Sequence, residues 1–412
     1  MSPCSATRWT FCAAASADAR LRVQPTIIFI VCLLSMDTPH TLLYLITGTG
    51  IGGAEKALCE LVRRIDRNRY RVVVCSLKQP GAYGARLAAA ADEFCHLGLS
   101  EAAGLRAVVN FIPALLRLAA IMRRVRPDIV HCFLFRASMM GRLAACLCPG
   151  SVIIAAVRVN EQSWMKYTLE RLTRSLVSRY TAVSEEVRRT MIARAHVPPD
   201  TIITIYNGIE CAALNVSSPC PPAHNETRLA LIGRLHRQKG HSVLLEALAI
   251  IINSGRRAHL YLAGDGPDED LLRQQARDLG IAGFVTFSGV VDDVVDFMAD
   301  IDIVVLPSLW EGMPNVLLEA MAAGRPIVAT NLPGIEEMVQ DGTSAVLCEP
   351  GRARPLADAI MRLMDDPGLA RSLARAAQLD VRRRFDILHT IAATQALYES
   401  LMRNRLMEGG SR

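Results

Sequence analysis

Ile303-Val-Val-Leu-Pro307-Ser-Leu-Trp-Glu311-Gly-Met-Pro-Asn-Val-Leu-Leu-Glu319-Ala-Met-Ala-Ala-Gly324 decides how the chain is organised. Ile303 to Leu306 is a short apolar run with no polar alternation, the pattern of a strand buried on both faces. Pro307 ends it, a loop follows, and a helix runs through Glu319. A buried strand passing through a short loop into a helix is half of a βαβ unit, the building block of a parallel sheet.

The same alternation continues in both directions. Towards the N-terminus, strands are expected at Leu42–Ile46, Arg71–Leu77, Asp128–His131, Val152–Val157, Thr181–Val183 and Ile202–Ile205, and helices at Ala54–Ile65, Leu105–Val125, Gly141–Leu147 and Gln162–Val177. Pro113 should kink or break the long helix. Ser217 to Pro222, with three prolines in six residues, interrupts the rhythm. A second series then starts: strands at Leu229–Ile232, His259–Ala263, Val285–Phe287, Ile303–Leu306 and Pro326–Ala329, with helices at Ser242–Ile252, Glu269–Leu279 and Pro355–Met364. The expected fold class is α/β, with two Rossmann-like, doubly wound parallel-sheet domains facing across a cleft. Their limits are residues 41–214 and 228–384, joined by a linker at 215–227. Residues 385–412 form a C-terminal helix with no strand partner of its own, expected to return to the first domain.

At 412 residues the chain can fill two such cores. Aromatic residues are 5% of it, too few for base-stacking platforms, and its longest basic run is Arg382–Arg384, so no nucleic-acid partner is expected. The twelve cysteines include no Cys-x-x-Cys pair, which argues against structural zinc and a disulfide framework and for a reduced, cytoplasmic setting. Residues 1–40 are taken as an extension outside the folded domains, disordered or arising from an upstream start. A signal peptide is the competing reading, since Arg20 and Arg22 precede the apolar run Ile27–Leu34, but no small-x-small cleavage site follows. Basic residues around the Leu105–Val125 helix (Arg117, Arg123, Arg124, Arg126) and at Arg63 to Arg71 leave two readings open: a solvated face, or peripheral contact with anionic lipid on the inner face of the plasma membrane.

Ligands of doubly wound sheets bind beyond the carboxyl ends of the strands, and the unusual residues lie there. Thr47-Gly-Thr-Gly-Ile-Gly-Gly-Ala-Glu55 puts Gly52 and Gly53 where a helix begins, so backbone amides can approach an anion; a tight structural turn is the alternative. It is not a P-loop, because no Gly-Lys-Ser/Thr follows. Gly233-Arg234 and Lys239-Gly240 set two cations on one strand-to-helix loop, able to clamp a pyrophosphate. Gly264-Asp-Gly-Pro267 marks another turn of this kind. Glu311 and Glu319 bracket a helix start whose first amides, from Gly312, Met313 and Asn315, have no intrahelical acceptor. Acids at this spacing can hold sugar and ribose hydroxyls while the amides hold phosphate.

These stretches, in this order, resemble the family 4 retaining glycosyltransferases of GT-B fold: Gly-Gly-Ala-Glu at 52–55, Gly233-Arg234 with Lys239-Gly240, Gly264-Asp-Gly-Pro267, and the Glu-x7-Glu pair Glu311 and Glu319. The resemblance spans roughly residues 40 to 400. It implies sugar transfer from a nucleotide-sugar donor, UDP-linked, to a glycan or lipid-linked acceptor in cell-surface polysaccharide or glycolipid synthesis, with no metal and no cofactor. On that basis Gly52 and Gly53 approach the diphosphate or the acceptor, and Arg234 and Lys239 bind the diphosphate and stabilise the leaving group. Glu311 holds the transferred sugar beside the backbone of Gly312, Met313, Asn315 and Val316, and Glu319 binds ribose. Gly264 lies in the donor site and the backbone near Val290 meets the base. Asn207-Gly208-Ile209 matches the end of the family's first domain, with Glu210 in place of Asp.

The family often has His-x-His after an Asp-hydrophobic strand, whereas this chain has His131-Cys132-Phe133. His131 is therefore either catalytic or a strand-end histidine. Arg136, Arg158 and Glu161 are candidates for the acceptor, with a structural ion pair as the alternative for the last two. Two other functions stay open on sequence: a nucleotide-sugar 2-epimerase of GT-B fold, and a non-catalytic nucleotide-sugar-binding protein.

Overall fold

A computed structural model describes residues 39–99, 105–159, 163–211, 226–291 and 293–409. The expectations for residues 1–38, for most of the linker and for Glu161 lie outside these. The first half runs β1 (His40–Ile46), α1 (Gly53–Arg64), β2 (Tyr70–Ser76), α2 (Gly84–Ala90), β3 (Glu93–His96), α3 (Leu105–Val125), β4 (Ile129–Phe133), α4 (Phe135–Leu147), β5 (Val152–Val157), α5 (Trp164–Thr173), β6 (Arg179–Ala182), α6 (Glu185–Ala195) and β7 (Ile202–Thr204). The second runs β8 (Thr227–Ile232), α7 (His241–Asn253), β9 (Ala258–Ala263), α8 (Glu269–Asp278), β10 (Val285–Gly289), α9 (Val294–Met298), β11 (Ile303–Leu306), α10 (Asn315–Ala322), β12 (Ile327–Thr330), α11 (Pro333–Glu336), β13 (Val346–Cys348), α12 (Ala353–Asp365) and α13 (Pro367–Arg384). The final helix, α14, is Ile387–Gly409.

Both sheets are parallel and doubly wound. The first has strand order β3-β2-β1-β4-β5-β6-β7 and the second β10-β9-β8-β11-β12-β13. Leu42 to Ile46 of β1 are at most 1% exposed, covered on both faces as the unbroken apolar run implies. Each such side chain contributes roughly 1.5–3 kcal/mol on burial. The strand order reverses between β1 and β4 in the first sheet and between β8 and β11 in the second. Those two reversals open the crevices in which ligands of such sheets bind. The loops that follow β1, β8 and β11 carry the glycines, cations and acids singled out above.

Three departures from the sequence reading have local causes. α3 runs through Pro113 as one element, because Ala114, Leu118, Ala119, Met122 and Val125 on one face are buried against the sheet. Tertiary burial outweighs the one backbone hydrogen bond that proline removes. α2 with β3, and α6, were not expected. β3 is a four-residue edge strand, only partly buried, with little periodicity to read. α6 is marked by Ser184, whose hydroxyl accepts from the Val187 N–H at 3.2 Å, a capping signal that the sequence reading passed over.

α14 packs its apolar face on the first sheet's helical layer: Ile387, Ile391, Leu397, Tyr398, Leu401 and Met402 share a cluster with residues of β1, α1 and β2. It enters where Gly208 sits. A Cβ there would lie 2.5 Å from the Cα of Ile387, so only glycine admits the chain. Ile209 and Ile387 exchange backbone hydrogen bonds with this crossing segment, Ile209 N–H to Phe385 O and Ile387 N–H to Ile209 O, both 2.9 Å. Among the described residues no helix is long and apolar enough to cross a membrane.

The halves also meet at α6. Glu337, just after α11, accepts from the N–H groups of Glu185 and Glu186 at 2.8 and 2.7 Å. A carboxylate from one half thus caps a helix of the other and sits at its positive dipole end. Glu337→Ala should lower unfolding stability by about 1–3 kcal/mol, the range for a charge-assisted hydrogen-bond site left unfilled. Urea unfolding measures this, and an unchanged midpoint would show that the cap contributes nothing.

Candidate functional site

Three linked clusters occupy the facing loops. The first joins Glu311 to Lys239. The Glu311 side chain is 7% exposed. Its Oε1 accepts from Lys239 Nζ at 2.6 Å and from the Ser308 hydroxyl at 2.8 Å. Gln238 Nε2 donates to the Trp310 carbonyl at 2.9 Å, tying the two loops together. Lys239 closes a short 3-10 turn and is followed by Gly240, whose φ of +72° and contact with β11's exit loop both require glycine: a Cβ would lie 1.9 Å from the Pro307 carbonyl oxygen. The lysine stem runs over Gly233, where a Cβ would be 3.4 Å from its Cε. The Gly264 turn abuts the Gly233 carbonyl. Lys239, Glu311, Gly233 and Gly264 are therefore one unit. Arg234 extends from the same loop, exposed, with no hydrogen bond or ion pair to another described residue.

The second cluster crosses between the halves. Asn315, the first residue of α10, donates from Nδ2 to the Gly53 carbonyl at 2.9 Å and accepts at Oδ1 from Asn207 Nδ2 at 2.6 Å. Asn207 Oδ1 accepts from the Arg158 guanidinium, and the Asn207 N–H points at Met313 Sδ, 3.2 Å away. A Cβ on Gly53 would meet Asn315 Nδ2 at 3.2 Å, and one on Gly312 would meet the Arg158 carbonyl at 3.0 Å. The α10 N-terminus, from Gly312 through Val316, is thus pressed against the loops that end β1, β5 and β7. Its first amides have no intrahelical acceptor and point a partial positive charge into this region.

The third is an ion pair across the halves. Lys56 of α1 pairs with Glu319 of α10, whose side chain is 6% exposed. Burial disfavours the Lys56 charge, but the charge of Glu319 and its hydrogen bond outweigh that, and the ammonium is held above its ordinary range. On the same helix, burial raises the Glu55 carboxyl, against the pull of a backbone hydrogen bond and of the charges on Arg158 and Lys78.

Of the other candidates, Val290 and Arg136 fall outside these clusters, and Arg158 belongs to the second. Val290 follows β10 and is 41% exposed. Arg136 is exposed at the start of α4. Arg158 stacks over Phe133, 5.5 Å from its centroid. Burial lowers its guanidinium to about 10, against the opposing charge of Glu55. Phe133, which stands where the resembling family has its second histidine, is thus a seat for this arginine.

His131 does not reach the open crevice. It is 4% exposed, with Nδ1 in a 2.7 Å hydrogen bond with the Tyr398 hydroxyl of α14, which in turn donates to Tyr44 at 3.1 Å. Its Nε2 is buried without a partner among the described residues. Burial, and then the Arg158 charge, lower its pKa to about 3. Of its two sequence readings, this geometry favours a strand-end histidine held neutral.

Sequence reasoning missed Lys56, Asn207 as a bridge between halves, Ser308 and Glu337. Ser308 lay inside the quoted stretch, next to Pro307, and a hydroxyl three residues before Glu311 was the available signal. Among the described residues, no group of three or more His, Cys, Asp or Glu side chains is placed to hold a metal ion.

Two doubly wound sheets with cations, acids and a helix N-terminus gathered beyond their strand ends define a GT-B architecture. A family model described as "Glycosyltransferase Family 4" matches residues 51–213, and one described as "Glycosyl transferases group 1" matches residues 226–366. The chain belongs to this family of glycosyltransferases. It is similar to the lipopolysaccharide core biosynthesis glycosyltransferase LpsE of Rhizobium meliloti, 36% identical over 133 residues, and to the alpha-D-kanosaminyltransferase of Streptomyces kanamyceticus, 34% over 148. These alignments cover 32% and 35% of this chain, and the chain spans only 38% of the length of each relative. The crystal structure of Anabaena Alr3699/HepE in complex with UDP and glucose shares the fold, with TM-score 0.75 and 22% identity over 88% of this chain and 100% of that one.

The depressed pKa of His131 has a consequence for stability. Its folded value lies below the unfolded one of about 6.5, so between the two the unfolded state binds more protons and stability falls as pH falls. His131→Gln should therefore lose less stability than the wild type between pH 7 and pH 5, measured as urea midpoints. Equal losses would place the histidine's proton elsewhere.

Proposed function

We propose that this protein is a retaining glycosyltransferase that moves a sugar from a nucleotide sugar, UDP-linked, to a glycan or lipid-linked acceptor in cell-surface polysaccharide or glycolipid synthesis. The observation that carries the reading is the Lys239–Glu311 unit beside the α10 N-terminus. A buried acid, a paired cation and outward-facing amides form a site for a diphosphate joined to a polyhydroxyl group. The relatives named above are glycosyltransferases by description, and the Anabaena protein of the same fold was crystallised with UDP and glucose.

In this reading Lys239, with Arg234, binds the diphosphate, and the loop amides of Gly312 and Met313 with the first α10 amides, those of Asn315 and Val316, complete its charge balance. Glu311 accepts hydroxyls of the sugar and Glu319 those of the ribose. Gly52, Gly53 and Gly264 keep the backbone close to the donor, and Val290 lies by the base. Arg158 and Arg136 face the acceptor, and peripheral contact of the first half with anionic lipid brings that acceptor within reach. His131 positions the first half's interior without touching the sugar.

Transfer breaks the bond between the anomeric carbon and the β-phosphate oxygen, which leaves with the electron pair. The acceptor hydroxyl oxygen forms the new bond on the same face and its proton passes to the departing phosphate. Positive charge at Lys239 lowers the barrier by stabilising the leaving oxygens, a preorganised electrostatic effect. Lys239→Ala should reduce UDP release from a UDP-sugar, with membrane extract as acceptor, by roughly 100-fold or more, with the circular dichroism spectrum unchanged. Turnover within a few-fold of wild type would contradict the assignment.

A further inference from the structure

Cys75 of β2 and Cys95 of β3 stand directly opposite each other in the parallel register of the first sheet. Side chains of register partners project from the same face of a sheet, and both cysteines pack in one apolar cluster with Val73, Leu97 and Leu118. Among the described strands, the other cysteines have no such partner: Cys132 faces Leu45 and Ala155, and Cys348 faces Thr330. Neighbouring strands lie about 4.8 Å apart, within the roughly 4.4–6.8 Å between Cα atoms that a disulfide spans. The bond also needs the Cβ atoms to close to about 3.8 Å. β3 can supply that movement, because it is the edge of the sheet, four residues long and only partly buried.

The two thiols are unequal. Cys75 is fully buried, whereas Cys95 is partly exposed. The hydrogen bond between them holds the Cys95 thiol below its ordinary value, against burial and the charge of Glu93, and Arg124 of α3 adds to the lowering. The same bond, and then burial, hold Cys75 well above its own. The thiolate is the attacking form, so the reachable sulfur is the nucleophile and the buried one its resolving partner. The chain between them carries α2, and its Gly81 and Tyr83 N–H groups donate to the Thr49 hydroxyl and carbonyl, both at 2.8 Å. That segment thus backs the glycine loop that opens α1.

We propose that Cys75 and Cys95 are a redox site that a peroxide converts to a reversible cross-strand disulfide, pinning the β3 edge and both ends of the α2 segment. The Cys95 sulfur attacks one peroxide oxygen and the O–O bond breaks; the leaving hydroxide takes the thiol proton and becomes water. The Cys75 sulfur then attacks the Cys95 sulfur of the resulting sulfenic acid. The S–O bond breaks, and hydroxide leaves with the electron pair and gains the Cys75 proton to form a second water. The thiols lose two electrons and the peroxide gains them. A bond drawn between strand neighbours is strained, and strained disulfides are the readily reduced ones, so a dithiol should reopen it. The proposal stands apart from the glycosyl-transfer reading.

Non-reducing peptide mapping of the full chain tests it, after a stoichiometric dose of hydrogen peroxide and alkylation of the remaining thiols. Trypsin cuts between the two cysteines, so the bridge should join peptide 72–78 to peptide 87–106, and dithiothreitol should separate them. Amide exchange at residues 93–96 should slow by roughly tenfold or more in the bridged chain and recover on reduction. Cys75→Ala should leave Cys95 as a sulfenic acid that dimedone labels, and Cys95→Ala, at a partly exposed position, should leave Cys75 unoxidised. Peroxide consumed at Cys146 or Cys148 with the pair still alkylated, Cys95 oxidised past the sulfenic acid in the wild type, or unchanged exchange at the β3 edge of the bridged chain would each overturn the proposal.

Discussion

The arrangement depends on where the first turn of α10 is held. Asn315 sits between the Gly53 carbonyl on one side and the Asn207 amide on the other, and Asn207 passes the contact on to Arg158. This short polar chain fixes the tip of a second-half helix against the strand ends of the first. Around it, glycines at 53 and 312 let the backbones approach closely enough for side-chain amides to span the gap. Without that approach, the crevices at the two sheet reversals would be separate features rather than parts of one site.

Charge balance follows from the same closeness. Glu311 and Glu319 are both nearly buried, and each is matched by a lysine from a different element, Lys239 and Lys56. A buried carboxylate with no such partner would be strongly disfavoured. The two pairs differ in what they join. Lys239–Glu311 lies within the second half and shapes a single loop pair, whereas Lys56–Glu319 spans the halves. In the glycosyltransferase reading, a donor brings phosphates for the lysine of the first and hydroxyls for the acid of the second, so binding would reorganise both and alter how firmly the halves are held. Glu337 at the α6 N-terminus supplies a second attachment that does not involve the site's acids.

Much of this was legible in the chain because parallel sheets write themselves as apolar runs. The runs Val152–Val157 and Ile303–Leu306 coincide with β5 and β11, and the strand-to-helix loops hold the glycines and acids. The short edge strand β3 was not legible, since it is half-exposed, and α6 carried only the Ser184 cap as a mark, because part of its burial comes from the opposite half. Among site residues, Lys239 and Glu311 were readable from local motifs, but their pairing, 72 residues apart, was not. Lys56 lies 263 residues from Glu319, and nothing around it signals an ion pair. His131 shows the limit most directly. Its environment is set by Tyr398, 267 residues later, on a helix whose docking position its own sequence does not state.

Amide hydrogen exchange with and without UDP would test the central claim most directly. If the α10 tip and the cationic loop form the nucleotide-sugar site, added UDP should slow exchange at residues 312–316 and 233–240 and leave the β3 edge unchanged. No change at the α10 tip under saturating UDP, or protection confined to the first half, would contradict it.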